Sequence, residues 1–117
     1  MKDQTGVAIL GSSQNDAPYM VIARSAAGEV EVHELYDDVV VVRSGMAVLK
    51  SGSDIKGEQR ERGTKPARDW FGGEIQNGQE RNLSPGDFII IPAKLGHQYV
   101  PVGDEIFTYW TIKVERK

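Results

Sequence analysis

An all-β sandwich or barrel is the fold class this sequence predicts, and three observations carry it. Apolar residues recur with period two in short stretches. Gly, Pro and Asp turns bound those stretches. No segment carries a helical stripe with caps.

The elements follow in chain order. Met20 to Ala23 reads as a short strand, closed by a turn at Ala26-Ala27-Gly28. In the next strand, Glu29 to Glu34, the residues Glu29, Glu31 and His33 are in phase and alternate with Val30 and Val32. That polar face looks either at water or into a polar cavity. Val39 to Val42 is a β-branched run between Asp37-Asp38 and Ser44-Gly45, and Met46 to Lys50 continues past the turn. Phe88 to Ile91 is a second apolar run, framed by Pro85-Gly86-Asp87 and Pro92, which withdraws an amide donor. Gln98 to Val102 and Ile106 to Val114 finish the chain as strands, the latter with Ile106, Thr108, Trp110, Ile112 and Val114 in phase.

Between Ser51 and Asn82 the chain is polar and Gly-rich, and reads as a long loop that is either functional or mobile. Within it, Asp69 to Ile75 carries the adjacent aromatics Trp70 and Phe71. They either cover one end of the core or form a lid over a pocket.

Composition narrows the function classes. A chain of 117 residues suits one domain with a real core. A net charge of −3 with no basic run argues against a nucleic-acid partner. The absence of cysteine excludes disulfides, Cys-ligated zinc and thiol nucleophiles. The N-terminal apolar run is too short for a signal sequence and nothing reaches transmembrane length, so a soluble, cytoplasmic protein with no membrane partner is expected.

Two motifs carry the chemistry. Gly86, Pro92 and His97 fall at the spacing of the second motif of the cupin family, with Lys94 in place of its inner glycine and Pro101 in place of its asparagine. Working back from Gly45, Asp38 takes the acidic position of the first motif, His33 its second histidine and Glu31 its first; Gly28 lies closer to Glu31 than that pattern asks. Both histidines of the chain thus land on motif histidine positions. The sequence therefore resembles a small single-domain cupin with a variant first motif, over residues 29–114. The resemblance implies a double-stranded β-helix, a jelly-roll barrel with few or no helices.

It also implies a divalent transition metal held by His33, Asp38 and His97, with Glu31 as a fourth ligand. Imidazole and carboxylate donors suit Fe(II), Mn(II), Ni(II), Co(II) or Zn(II). Alternatives stay open at each position. Glu31 is a ligand, a general base or a solvated strand residue; Asp38 is a ligand or a turn residue; His33 faces the cavity or water. His97 is framed by Gly86 and Pro92. Tyr99, in phase with His97, is assigned to a substrate pocket together with Tyr36 and Trp70. Lys94 is a surface turn residue or a contact for an anionic substrate.

The implied function is a metal-dependent enzyme acting on a small organic molecule by oxygenation, isomerisation, decarboxylation or lyase chemistry. The alternative is a non-catalytic small-molecule-binding or sensor module. A homodimer, formed by strand exchange or sheet packing, is the expected assembly.

Overall fold

The computed structural model describes residues 7–12, 19–62 and 69–115. Among them the chain forms β-strands and no helix, as the period-two patterning predicts. The first five strands are β1 (Val7–Ser12), β2 (Tyr19–Arg24), β3 (Glu31–His33), β4 (Tyr36–Ser44) and β5 (Met46–Gly52). Five short ones follow: β6 (Ile55–Lys56), β7 (Arg60–Arg62), β8 (Asp69–Phe71), β9 (Glu74–Ile75) and β10 (Gln79–Leu83). β11 (Phe88–Ile91), β12 (Gly96–Val102) and β13 (Phe107–Glu115) end the described chain.

Two antiparallel sheets form the molecule. One runs in the order β1-β2-β13-β4-β11 and the other β10-β5-β12-β3-β8-β7, while β6 and β9 pair separately. Neighbours in a sheet come from distant parts of the chain, as a jelly roll requires: β13 lies between β2 and β4, and β12 between β5 and β3. The core fills the space between the sheets. Ile22, Val40, Val42, Leu49, Leu83, Ile89, Ile91, Tyr99, Phe107 and Tyr109 pack there as one cluster. Tyr99 stacks on Tyr109 at 4.6 Å between ring centres, and Phe107 lies 5.1 Å from Tyr109. Such aromatic contacts add about 0.5–1.5 kcal/mol each beyond the area they bury.

Turn chemistry sets the strand ends. Ser84 to Asp87 closes on itself through Ser84 N to Asp87 Oδ2 (2.9 Å) and Asp87 N to Ser84 O (3.1 Å), with Gly86 at φ 93°. Gly45, between β4 and β5, has φ 74°, and a Cβ there would meet Ile106 O at 2.5 Å. Only glycine meets both demands.

The structure departs from the sequence reading in two places. The stretch expected as a long loop carries β6 to β10 instead. β8 and β7 extend the six-stranded sheet beyond β3, and β10 pairs with β5 along Gln79–Leu83. These strands lack apolar alternation because they lie toward the sheet's edges, where polar side chains discourage further pairing. In β13, the in-phase series Ile106, Thr108, Trp110, Ile112 and Val114 does not supply the core. Phe107, Tyr109 and Thr111 are the buried phase, and Ile106, Trp110 and Val114 are exposed.

Candidate metal centre

The inner face of β3 brings Glu31 and His33 into the molecule. The pairing of β12 with β3 sets His97 directly opposite Glu31, and β13 sets Lys113 opposite Asp38. Glu31, His33 and His97 each offer a ligand atom within 4.8 Å of those of the other two, so this trio could hold a metal ion. The imidazoles are buried and lie 5.2 Å apart between ring centres. Asp38 is buried too, with Oδ2 at 3.4 Å from His33 Nε2 and 3.6 Å from His97 Nε2. Of the two adjacent aspartates, both on β4, Asp37 braces the segment before β12: its Oδ1 accepts the amide of Ala93 at 2.7 Å. Asp38 faces inward.

Each inward donor has its other polar atom tied down. His33 Nδ1 meets Asp69 Oδ1 at 2.9 Å, and His97 Nδ1 meets the carbonyl of Leu95 at 3.2 Å. With those acceptors the Nδ1 atoms carry the protons, leaving Nε2 of both rings for the common centre. Glu31 turns Oε1 toward His33 Nε2 at 3.4 Å, while Oε2 accepts from Arg24 at 3.1 Å. Asp38 Oδ1 accepts from Lys113 Nζ at 2.8 Å. Arg24 is itself buried, donating from Nε to Tyr109 Oη at 2.9 Å with its guanidinium 5.1 Å from the Tyr99 ring centre. An outer layer of this kind orients metal ligands and sets their tautomers.

The charges in the cluster act strongly on one another. Burial opposes ionisation of Glu31, but the hydrogen bond to His33, the electrostatic influence of the facing His97 ring and the Arg24 guanidinium prevail and hold its carboxyl down at about 2. Burial likewise lowers His33, but the hydrogen bonds to Asp69 and Glu31 outweigh it, with Lys113 opposing, and raise the imidazole to about 9. His97 goes the other way, because burial dominates and keeps it neutral. Burial also pushes the Tyr99 and Tyr109 phenols up, so both keep their protons.

The structure thus brings together Glu31, His33, Asp38 and His97 from the sequence reading. Tyr99 lies beneath them, edge-on to His97 at 6.0 Å between ring centres, but is packed in the core. Tyr36 opens β4 opposite Glu115 and makes none of the cluster's hydrogen bonds. Trp70 is on the other face of the sheet, beside Val32, with Nε1 donating to Glu34 Oε2 at 2.6 Å. Arg24, Asp69 and Lys113 escaped the sequence reading as members of the cluster. The one available signal was that each is a charge beside or within an apolar strand pattern.

No family model matches the chain, and no curated protein matches it. Solved structures do. Peruvianin-I, a cysteine peptidase from Thevetia peruviana latex, superimposes with a TM-score of 0.67 at 16% identity, over 98% of this chain and 65% of that one. A protein with a double-stranded β-helix domain from Klebsiella pneumoniae gives 0.62 at 19%, over 92% and 73%. The FeII form of HppE gives 0.67 at 9%, over 93% and 51%. At these identities the likeness establishes the fold alone: the chain has a double-stranded β-helix fold. It spans less than two thirds of Peruvianin-I and about half of HppE.

Proposed function

We propose that Glu31, His33, His97 and Asp38 hold a divalent transition metal and that the centre acts on a small organic molecule. One observation carries this: four donors present an atom to shared space while the remaining polar atom of each is occupied by Asp69, Leu95 O, Arg24 or Lys113. The donor chemistry fits. Two imidazoles, the second neutral once a metal displaces the His33 proton, with carboxylate oxygens suit Fe(II), Mn(II), Zn(II) or Ni(II), and the structural likeness to the FeII form of HppE favours iron among them. A cysteine-based reaction such as that of Peruvianin-I has no counterpart, since the chain has no cysteine.

When bound, the metal supplies Lewis-acid polarisation of a substrate oxygen. The chain's own residues do the rest. Asp69 keeps the His33 proton on Nδ1. Arg24 holds Glu31 ionised, so a Glu31 that is not ligating can take a proton at Oε1. Tyr99, Tyr109 and Phe107 exclude water from the inner side of the cluster. Oxygenation, isomerisation, decarboxylation and lyase chemistry are all compatible with these parts.

Elemental analysis of untagged protein tests the reading. Stoichiometric Fe, Mn, Zn or Ni that is lost in His97→Ala is the expected result; metal-free protein after reconstitution with each of the four ions would overturn it. A second reading, a non-catalytic binding module, draws on Lys113, whose ammonium is 3.2 Å from His33 Nε2 and offers an anion a fixed charge. The expected homodimer would use the outward face of the five-stranded sheet, where Phe88, Ile90 and Trp110 are exposed. Light scattering on Ile90→Lys tests it.

A further inference from the structure

The outward face of β3 borders a second concavity that has no part in the metal cluster. It is a groove of about 410 Å³. Val32 and Ile55 give it an apolar lining, and Trp70 adds an indole. The indole is held in one orientation by its hydrogen bond to Glu34. An aromatic surface fixed in this way can stack a flat ligand at little entropic cost.

Two polar groups in the groove lack an internal explanation. Gln59 Nε2 is buried yet has no hydrogen-bond partner among the described residues. Buried donors are rarely left unpaired, and an orphan invites an acceptor from a ligand or water. Lys94 holds a left-handed backbone, φ 75°, where glycine would be free of strain, and its amide donates to His33 O at 2.7 Å. Its side chain is exposed at the groove and has no ion pair among the described residues. A bulky residue kept in a strained conformation at a concave site points to use of its side chain.

We propose that this groove binds a small aromatic carboxylic acid. The ring lies on Trp70, the carboxylate meets Lys94 Nζ, and a second oxygen on the ring accepts from Gln59 Nε2. Ser53, also lining the groove, offers a further hydroxyl. The site is separate from the proposed metal centre: Val32 on β3 and Glu34 just beyond it face away from Glu31 and His33, and no metal is needed for it.

The test uses isotope-labelled full-length protein titrated with para-hydroxybenzoate and followed by NMR. The Trp70 indole NH and the Gln59 side-chain amide are expected to shift, while the Trp110 indole NH stays in place. Lys94→Gly is expected to weaken binding roughly tenfold or more through loss of a charged hydrogen bond, with a melting temperature unchanged or raised because glycine relieves the left-handed strain. Gln59→Leu should weaken it as well, and uncharged para-hydroxybenzyl alcohol should bind wild type no better than the acid binds Lys94→Gly. Binding that survives Lys94→Gly at full strength would overturn the proposal. So would the absence of any shift at Trp70 and Gln59 at millimolar acid. Shifts confined to His33 and His97 that vanish with EDTA would assign the acid to the metal centre and overturn it equally.

Discussion

Glu31 and Glu34 lie three residues apart, one on β3 and the other just beyond it, yet they serve opposite faces of one sheet. Glu31 looks inward, where His33, His97 and Arg24 hold it ionised. Glu34 looks outward and receives the Trp70 indole. On the inner face the buried carboxylates and imidazoles each have a second partner. On the outer face, among the described residues, Gln59 Nε2 has no hydrogen-bond partner and the Lys94 ammonium has no ion pair. The difference teaches how to recognise two kinds of site. The proposed metal centre rests on donors whose spare atoms are tied down, the proposed ligand groove on donors that are not.

Exchanging the two glutamates for alanine breaks the comparison most sharply. Glu31→Ala leaves the buried Arg24 guanidinium without its carboxylate, and is expected to cost about 3 kcal/mol of stability, as removing one partner of a buried ion pair does. Glu34→Ala loses one hydrogen bond to Trp70, expected at about 1 kcal/mol. Urea unfolding of both variants checks the ordering, and similar losses would contradict the contrast.

Acidity comes next. In the metal-free protein His33 is raised to about 9, so its contribution to stability is complete below its unfolded value near 6.5 and is lost as pH rises through 9. Glu31 is lowered to about 2, so its contribution is present above its unfolded value near 4.5 and is lost as pH falls through 2. The metal-free protein should therefore be most stable between these unfolded values. Metal competes with the His33 proton, so metal affinity is expected to rise about tenfold per pH unit up to pH 9. Thermal melts and metal titrations across this range measure both, and a flat metal affinity would contradict the inward role of His33.

Two smaller effects sharpen the picture of the outer layer. Asp69→Asn keeps the size of the side chain but weakens its hold on His33, and should lower metal affinity about 10- to 100-fold when measured above pH 9, where proton competition is gone. Lys113→Met removes a cation 3.2 Å from His33 Nε2 and frees Asp38 Oδ1. It should raise metal affinity, by less than Asp69→Asn lowers it. Competition with a fluorescent chelator reads both, and weaker binding in Lys113→Met would mean that the lysine orients Asp38 instead of competing for it.

The motif residues were legible in the sequence because they are local. His97 follows a turn and a strand that Gly86 and Pro92 delimit, and Glu31 and His33 share a strand face by simple alternation. The outer layer was not legible, because Asp69 and Lys113 reach His33 from 36 and 80 residues away. The strands from β6 to β10 were also hidden, since a polar edge strand and a polar loop have the same composition.

By itself the sequence determined an all-β chain, the turns that divide it and the pairs of residues that share a face. Period two sorts side chains into two sets, but it does not say which set goes inward when both are apolar. In β13 the set with Trp110 and Ile112 was as good a core as the set with Phe107 and Tyr109. Only the pairing of β13 between β2 and β4 decided it, turning Phe107, Tyr109 and Lys113 toward the cluster. That choice belongs to the tertiary structure because a strand's direction is set by the sheets it joins, and a short strand's own residues cannot encode it.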